Sequence, residues 1–420
     1  MRFSTWLLAT GMLFFAAGGM PLAAHEGPDP STLTGKVMCG YQGWFTAAGD
    51  GASRPWVHYA RGGRFEPGQC SIDLWPCVAD LDEDERYPTP FRHADGSVAY
   101  VFSSQNPKTV SRHFQWMKEY GIDGAFVQRF AVRHRPGRVH DAADWERVLD
   151  NCRRAAREHG RVWAVMYDLS GLRAGGVRFV AEDWRRLVEE ERVTEDPTYL
   201  HHHGRPVVAV WGVGFSDGRD YTLEECSELI DQLRSHAGGE GATVMLGIPS
   251  WWRTLERDSV DDAALHEVLA KADVLSPWSV GRYRSPAEAR RHAETTWRPD
   301  LAWCRERDMD FMPVVFPGFS WSNLYPGSPL DQIPRREGRF LWSQFRAAVD
   351  AGASMIYVAM FDEIDEGTAI FKCTNDPPVG ATTFLTYEGL PTDHYLWLTG
   401  QGARLLRGEI PATENLPARE

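Results

Sequence analysis

The stretch Met355-Ile-Tyr-Val-Ala-Met-Phe-Asp-Glu-Ile-Asp-Glu-Gly-Thr368 passes from an unbroken apolar run into four carboxylates within five positions. Apolar side chains at successive positions, rather than at alternate ones, predict a strand buried on both faces over 355–361. Asp362, Glu363, Asp365 and Glu366 then mark where that strand leaves the core. A solvated acidic turn would read the same way locally, so the rest of the chain decides between a turn and a site.

Upstream, the same kind of strand recurs. Apolar strands are expected to begin at 36, 124, 161, 206, 243, 273 and 311 before the one at 355. Amphipathic helices are expected over 107–120, 144–159, 181–193, 223–236 (with Thr222 as N-cap), 261–272, 286–307 and 340–351. Eight buried strands alternating with helices predict an α/β fold, a single (β/α)8 TIM barrel with right-handed crossovers. A doubly wound open sheet would want a glycine-rich phosphate turn after an early strand, and neither GxGxxG nor GxxxxGK[ST] occurs. Residues 47–104 are dense in Gly, Pro and Asp, which reads as a long loop insertion after the first strand. A loop of that length is expected to serve the site by folding over the barrel mouth.

Composition narrows the partner. The formal net charge of −13 argues against nucleic acid and against an anionic membrane surface, so a neutral ligand fits better. Residues 1–24 combine a basic start, an apolar run and a small-residue end, which predicts a signal peptide, a secreted or periplasmic protein, and a catalytic domain over 25–420. Seven cysteines without metal-type CxxC spacing leave at least one thiol free, and Cys70 with Cys77 is the first choice for a disulfide. His201-His-His203 falls at a strand start, on the face opposite the mouth, and is not expected to hold a metal. No GxSxG is present, and Cys39 lies inside an apolar strand, so a Ser or Cys nucleophile is not supported. The oligomeric state cannot be read from the sequence.

In such a barrel, side chains at the carboxyl ends of the strands face the site. Those ends carry Tyr41, Gln42 and Trp44; Gln128 and Arg129; Tyr167 and Asp168; Trp211; Trp251; Trp278; Phe319 and Trp321; and the acids from Asp362 to Glu366. Aromatic faces together with amides and carboxylates suit a sugar, which needs ring stacking and hydroxyl recognition, whereas a phosphate would want Lys, Arg and helix N-termini. Trp211 and Trp278 read equally as caps on the core. Arg129 and Asp168 read equally as an ion pair across adjacent strands or as ligand contacts.

Asp362-Glu-Ile-Asp-Glu-Gly-Thr368, with Gly40-Tyr-Gln-Gly-Trp44, Trp56-Val-His58 and Asp73-Leu-Trp-Pro76, resembles the family 71/99-like glycoside hydrolases over most of the chain past residue 24. The resemblance implies a glycosidase that cleaves an α-linked oligo- or polysaccharide without metal or other cofactor. It also implies that Glu363 deprotonates the sugar's own 2-hydroxyl and that Glu366 is the acid/base at the leaving group, with net retention. Trp56, His58 and Trp75 are expected beside the cleft for the same reason. This chain has Ile364-Asp365 where family 99 has Trp-His, and the sugar is not specified. A carbohydrate-binding barrel without catalysis, or a hydrolase holding a cation on Asp362, Asp365 and Glu366, are the competing readings.

Overall fold

The computed structural model describes residues 1, 27–134, 139–237, 239 and 241–419. The expected signal peptide lies outside these residues. Among them, no helix is long and apolar enough to cross a membrane.

Eight parallel segments close into a barrel. They are β1 Val37–Tyr41, β2 Gly124–Phe130, β3 Val162–Asp168, β4 Arg205–Trp211, β5 Thr243–Ile248, β6 Val274–Pro277, β7 in two pieces (Asp310–Phe311 and Val314–Val315) and β8 Ile356–Val358. Closure depends on β7. Its first piece pairs with β6, through Asp310↔Val274 and Phe311↔Leu275, and its second with β8, through Val314↔Tyr357 and Val315↔Val358. Pro313 sits at the break; it has no N–H to give, but its carbonyl accepts from the Tyr357 amide at 3.0 Å. β8 and β2 flank β1 and complete the ring. Every residue of β1, β5, β6 and β8 is buried, as the unbroken apolar runs require.

The helices on the outside follow the periodic segments: α1 Pro107–Tyr120, α2 Val139–His159, α3 Arg178–Glu189, α4 Leu223–His236, α5 Ala264–Leu269, α6 Pro286–Arg305 with a π-turn at Ala293–Trp297, and α7 Arg339–Ala351. Local signals account for the sharpest ends. Asn106 caps α1 by accepting from the Lys108 amide, and Thr222 and Glu225 form a reciprocal capping box on α4. An additional helix, α8 His394–Leu406, packs on α1 and α7.

The connection between β1 and α1 is more structured than its composition suggests. It carries a hairpin, Tyr87–Arg92 with Val98–Val101, and an aromatic cluster of its own in which Tyr59, Phe65, Trp75 and Phe91 are buried. At roughly 1.5–3 kcal/mol for each large apolar side chain taken out of water, such a cluster holds the segment against the barrel without long strands. Its anchor is Asp73, fully buried, whose carboxylate accepts from Ser320 Oγ and from the Ser322 and Asn323 amides at 2.5–2.8 Å. Cys70 and Cys77 are both free thiols rather than a disulfide; Cys70 lies buried, its Sγ 3.8 Å from the Ile72 carbonyl.

Candidate active site

Side chains alternate along a strand, so only every second residue at a strand end can point into the barrel mouth. β2 sends Gln128 and Phe130 inward, β3 sends Met166 and Asp168, and β4 ends in Trp211. Together with Gln42, Trp44, Trp278, Glu363 and Glu366 these residues line a cleft of about 300 Å3. The register places them side by side, with Gln128 opposite Met166, Phe130 opposite Asp168 and Asp168 opposite Trp211.

The two glutamates reach the cleft because the chain folds back after β8. The Thr368 and Ala369 amides both donate to the Glu363 carbonyl, at 3.1 and 3.0 Å, and the Ser320 amide donates to the Glu366 carbonyl at 2.9 Å. Gly367 makes this turn at φ 64°, and a Cβ there would lie 2.9 Å from the Ser320 nitrogen. From behind, the buried Arg335 donates to the Gly367 and Ala369 carbonyls at 2.8 and 2.7 Å. Gly367→Ala is therefore expected to cost about 1–3 kcal/mol of stability through strained backbone. It should also depress kcat by displacing Glu366, as a denaturation curve and a rate measured on the same preparation would show.

The environments of the pair differ. Glu363 is 4% exposed, and its carboxylate accepts from Gln42 Nε2 and Thr368 Oγ1, both at 2.5 Å. Burial, then the charges of Glu366 and Asp365, raise its pKa far above the usual carboxylate range. Burial, then Asp365 and Asp168, push Glu366 up to about 8. Two carboxyls repelling each other in a dry cleft titrate as a unit, with the proton affinity of both raised.

Asp365 supplies much of that repulsion and is itself held from outside. His58 Nδ1 lies 2.9 Å from Asp365 Oδ2, and the His58 ring stacks on Trp44 with centroids 3.6 Å apart and planes 3° from parallel. Asp168 accepts from the Ser170 amide at 2.6 Å. Gln42 Oε1 and Trp211 Nε1 are buried without hydrogen-bond partners, an acceptor and a donor respectively left for a ligand.

Several expected site residues point elsewhere, those on the strands because side chains alternate. Tyr41 faces out of the barrel, with its hydroxyl 2.9 Å from His113 Nδ1 on α1. Arg129 turns outward to Asp183 and Glu146, at 2.8–2.9 Å, so its partner is not Asp168. Tyr167 donates to the same Asp183 at 2.7 Å. Asp362 is wholly buried and accepts from the Gln42 and Gly43 amides at 2.8 and 2.9 Å, tying the ends of β1 and β8 together rather than meeting a ligand. Trp75 is 1% exposed inside the loop's own cluster, and Trp56 packs on Phe65 and Tyr59. Phe319 and Trp321 pack edge to face on one another, away from the cleft walls. Trp251 lines a different pocket.

The cation reading fails on donor geometry. Both Asp362 oxygens are taken by backbone amides and one Asp365 oxygen by His58, so these acids and Glu366 do not converge. His202, His203 and Asp310 do converge, at the opposite end of the barrel. There, His202 Nδ1 accepts from the Leu33 amide at 3.1 Å, which leaves the proton on Nε2, the atom a metal would need.

Phe130, Met166, Ser170 and Met360 line the cleft without having been singled out, and Thr368 bonds Glu363 directly. Phe130 and Met166 were readable from alternation: they lie two residues from Gln128 and Asp168 respectively. Ser170 and Met360 carry no comparable signal.

Known proteins resemble this chain in part of its sequence and in its fold. Residues 287–407, from α6 through α8 and including the acidic turn, match glycosyl hydrolase family 99. A glycoprotein endo-alpha-1,2-mannosidase-like protein of Danio rerio is 27% identical over 149 residues, 35% of this chain and about a third (34%) of that relative's length. The GH99 endo-alpha-mannosidase of Bacteroides thetaiotaomicron, solved alone and in complex with BIS-TRIS-propane, superposes with a TM-score of 0.62 at 16% identity, over 90% of this chain and 99% of the other. A protein described as glycoside hydrolase-like superposes at 0.55 and 12% identity, over 92% and 97%. At such identities the structures speak for the fold, while the sequence match carries the acidic turn itself. Over residues 287–407 the chain is thus similar to glycosyl hydrolase family 99, and its (β/α)8 fold is that of a solved GH99 protein.

Proposed function

We propose that this protein is an exported glycoside hydrolase that cleaves α-mannosyl chains, with Glu363 and Glu366 as its catalytic pair. The observation that carries the reading is the pair itself. Two carboxyls with raised proton affinity, one hydrogen-bonded and one not, share an aromatic cleft. The relatives named for endo-α-mannosidase activity supply the sugar class.

The roles follow from hydrogen bonding. Gln42 and Thr368 donate to Glu363 and favour its ionised form, against the burial and neighbouring charge that raise it, whereas Glu366 has no such donor among the described residues and is assigned the proton. Glu366 then protonates the glycosidic oxygen as Glu363 takes the proton of the sugar's 2-hydroxyl, and that oxygen displaces the leaving group from C1. Water opens the resulting 1,2-anhydro sugar: Glu366 takes the water's proton, and Glu363 returns its own to O2. The anomeric centre inverts twice, so configuration is retained. Trp211 and Trp278 offer ring surface to a sugar, Trp44 being already stacked on His58 and Phe130, and Gln128 is held by Tyr357 at 3.1 Å where it can meet a hydroxyl.

Ser170 also borders a second space of about 270 Å3 between the loops after β3 and β4, where Arg173 and Arg219 meet Asp217 and Asp220. Room beyond the catalytic pair suits action within a chain. The purified protein should be screened against α-mannan, α-1,3-glucan and arabinose- or xylose-containing polysaccharides. Oligosaccharide products from α-mannan are expected; release of monosaccharide alone, or cleavage only of another polymer, would overturn that assignment.

A pH profile tests the acid role. With Glu366 at about 8, kcat/KM should hold through neutrality and fall as pH rises through that value, because the acid form is lost. Asp365→Asn removes a negative charge that raises both glutamates, so the alkaline limb should move to lower pH. A limb that stays in place would remove Asp365 from the account.

A further inference from the structure

On the same face of the barrel, the loops after β5 and β6 and the middle of α6 enclose a separate pocket of about 250 Å3. Three guanidiniums, Arg257, Arg282 and Arg291, line it against one carboxylate, Glu288, in a chain whose net charge is −13. Two of them are held in place: Arg257 lies 4.2 Å over the Trp251 ring, and Arg282 Nε donates to Asp258 at 2.7 Å. Among the described residues neither Arg257 nor Arg291 has an ion pair. His292, 6% exposed, lines the pocket between Trp251 and Tyr283, and its Nε2 has no hydrogen-bond partner. The π-turn of α6 brings Thr296 to the same wall, and such turns recur at functional sites.

Arg257 and Arg291 are exposed and neither is held by a carboxylate among the described residues, so both are open to an anion, and guanidinium geometry suits tetrahedral oxyanions. The pocket lies at the small end for a whole ligand, which argues for a charged substituent rather than a second sugar ring. We propose that this pocket binds a tetrahedral oxyanion, a sulfate or phosphate ester carried on the glycan that occupies the neighbouring cleft. The link to a glycan rests on the glycosidase reading; the anion site does not. Burial, with Arg257 and Arg282 nearby, holds His292 down at about 4, so the ring is neutral at pH 7 and its Nε2 is a neutral donor or acceptor rather than a fourth cation.

The test is calorimetric titration of the full chain with sodium sulfate and with sodium phosphate, against sodium chloride at equal ionic strength. Saturable binding is expected, weakened about tenfold or more in Arg257→Gln/Arg291→Gln, whose hydrolysis of a neutral substrate stays unchanged. No saturable binding, or equal binding in the double variant, would overturn the site. In a second arm, Glu363→Gln protein is titrated with neutral and with sulfated or phosphorylated α-mannan oligosaccharides. Tighter binding of the charged glycans, lost with the two arginines, assigns the anion to a substituent. Equal binding of both, beside intact sulfate binding, overturns the glycan link and leaves a free ion as the ligand. Neither arm requires turnover, so failure of the hydrolase reading would show separately.

Discussion

Glu363→Gln and Glu366→Gln should each lower kcat by about two to four orders of magnitude, the usual scale for a removed acid or base. Both changes keep shape and remove charge, so the fold should survive. The Glu363 site accepts two hydrogen bonds that an amide can only partly replace, because its NH2 group would face the Gln42 or Thr368 donor. The two variants should differ in rescue. An activated leaving group needs no proton, so it should restore much of the first step in Glu366→Gln and little in Glu363→Gln. Equal rescue of both would mean the roles are not divided as proposed. A 2-deoxy substrate should bind wild type without turning over, since the attacking oxygen is missing; cleavage at the normal rate would replace the participating hydroxyl with an ordinary carboxylate nucleophile.

Arg129→Met should cost about 2–4 kcal/mol of stability and leave KM for the glycan within about twofold, since it removes the bidentate guanidinium from a buried charge network in which Arg186, at 3.1 Å, still meets Asp183. Asp183 would then lie buried beside Tyr167 without its bidentate partner. The same substitution at a sugar-binding arginine would do the reverse, raising KM while stability held. Measuring both quantities on one preparation separates a structural Arg129 from a binding one.

The contrast between Arg129 and Gln128 shows how far the sequence could be read. Strand positions were legible because burial on both faces leaves unbroken apolar runs, and the acidic turn was legible because charge cannot follow such a run into a core. Which of two neighbouring polar residues faces inward was also legible in principle. Gln128 and Arg129, Tyr167 and Asp168, and Tyr41 and Gln42 are adjacent, and a period of two admits only one of each to the mouth. Contacts between distant segments were not legible. Nothing local places His58 against Asp365, or Asp73 against Ser320, because both pairings depend on how the β1–α1 connection settles on its own aromatic cluster. The same holds for Arg335 beneath Gly367.

The most direct test is the anomeric form of the first product, followed by NMR while the purified protein digests an α-linked mannan oligosaccharide. The account predicts an α-hemiacetal that appears first and equilibrates later, in wild type and not in Glu363→Gln. A β-hemiacetal appearing first would mean a single inverting displacement and would contradict it.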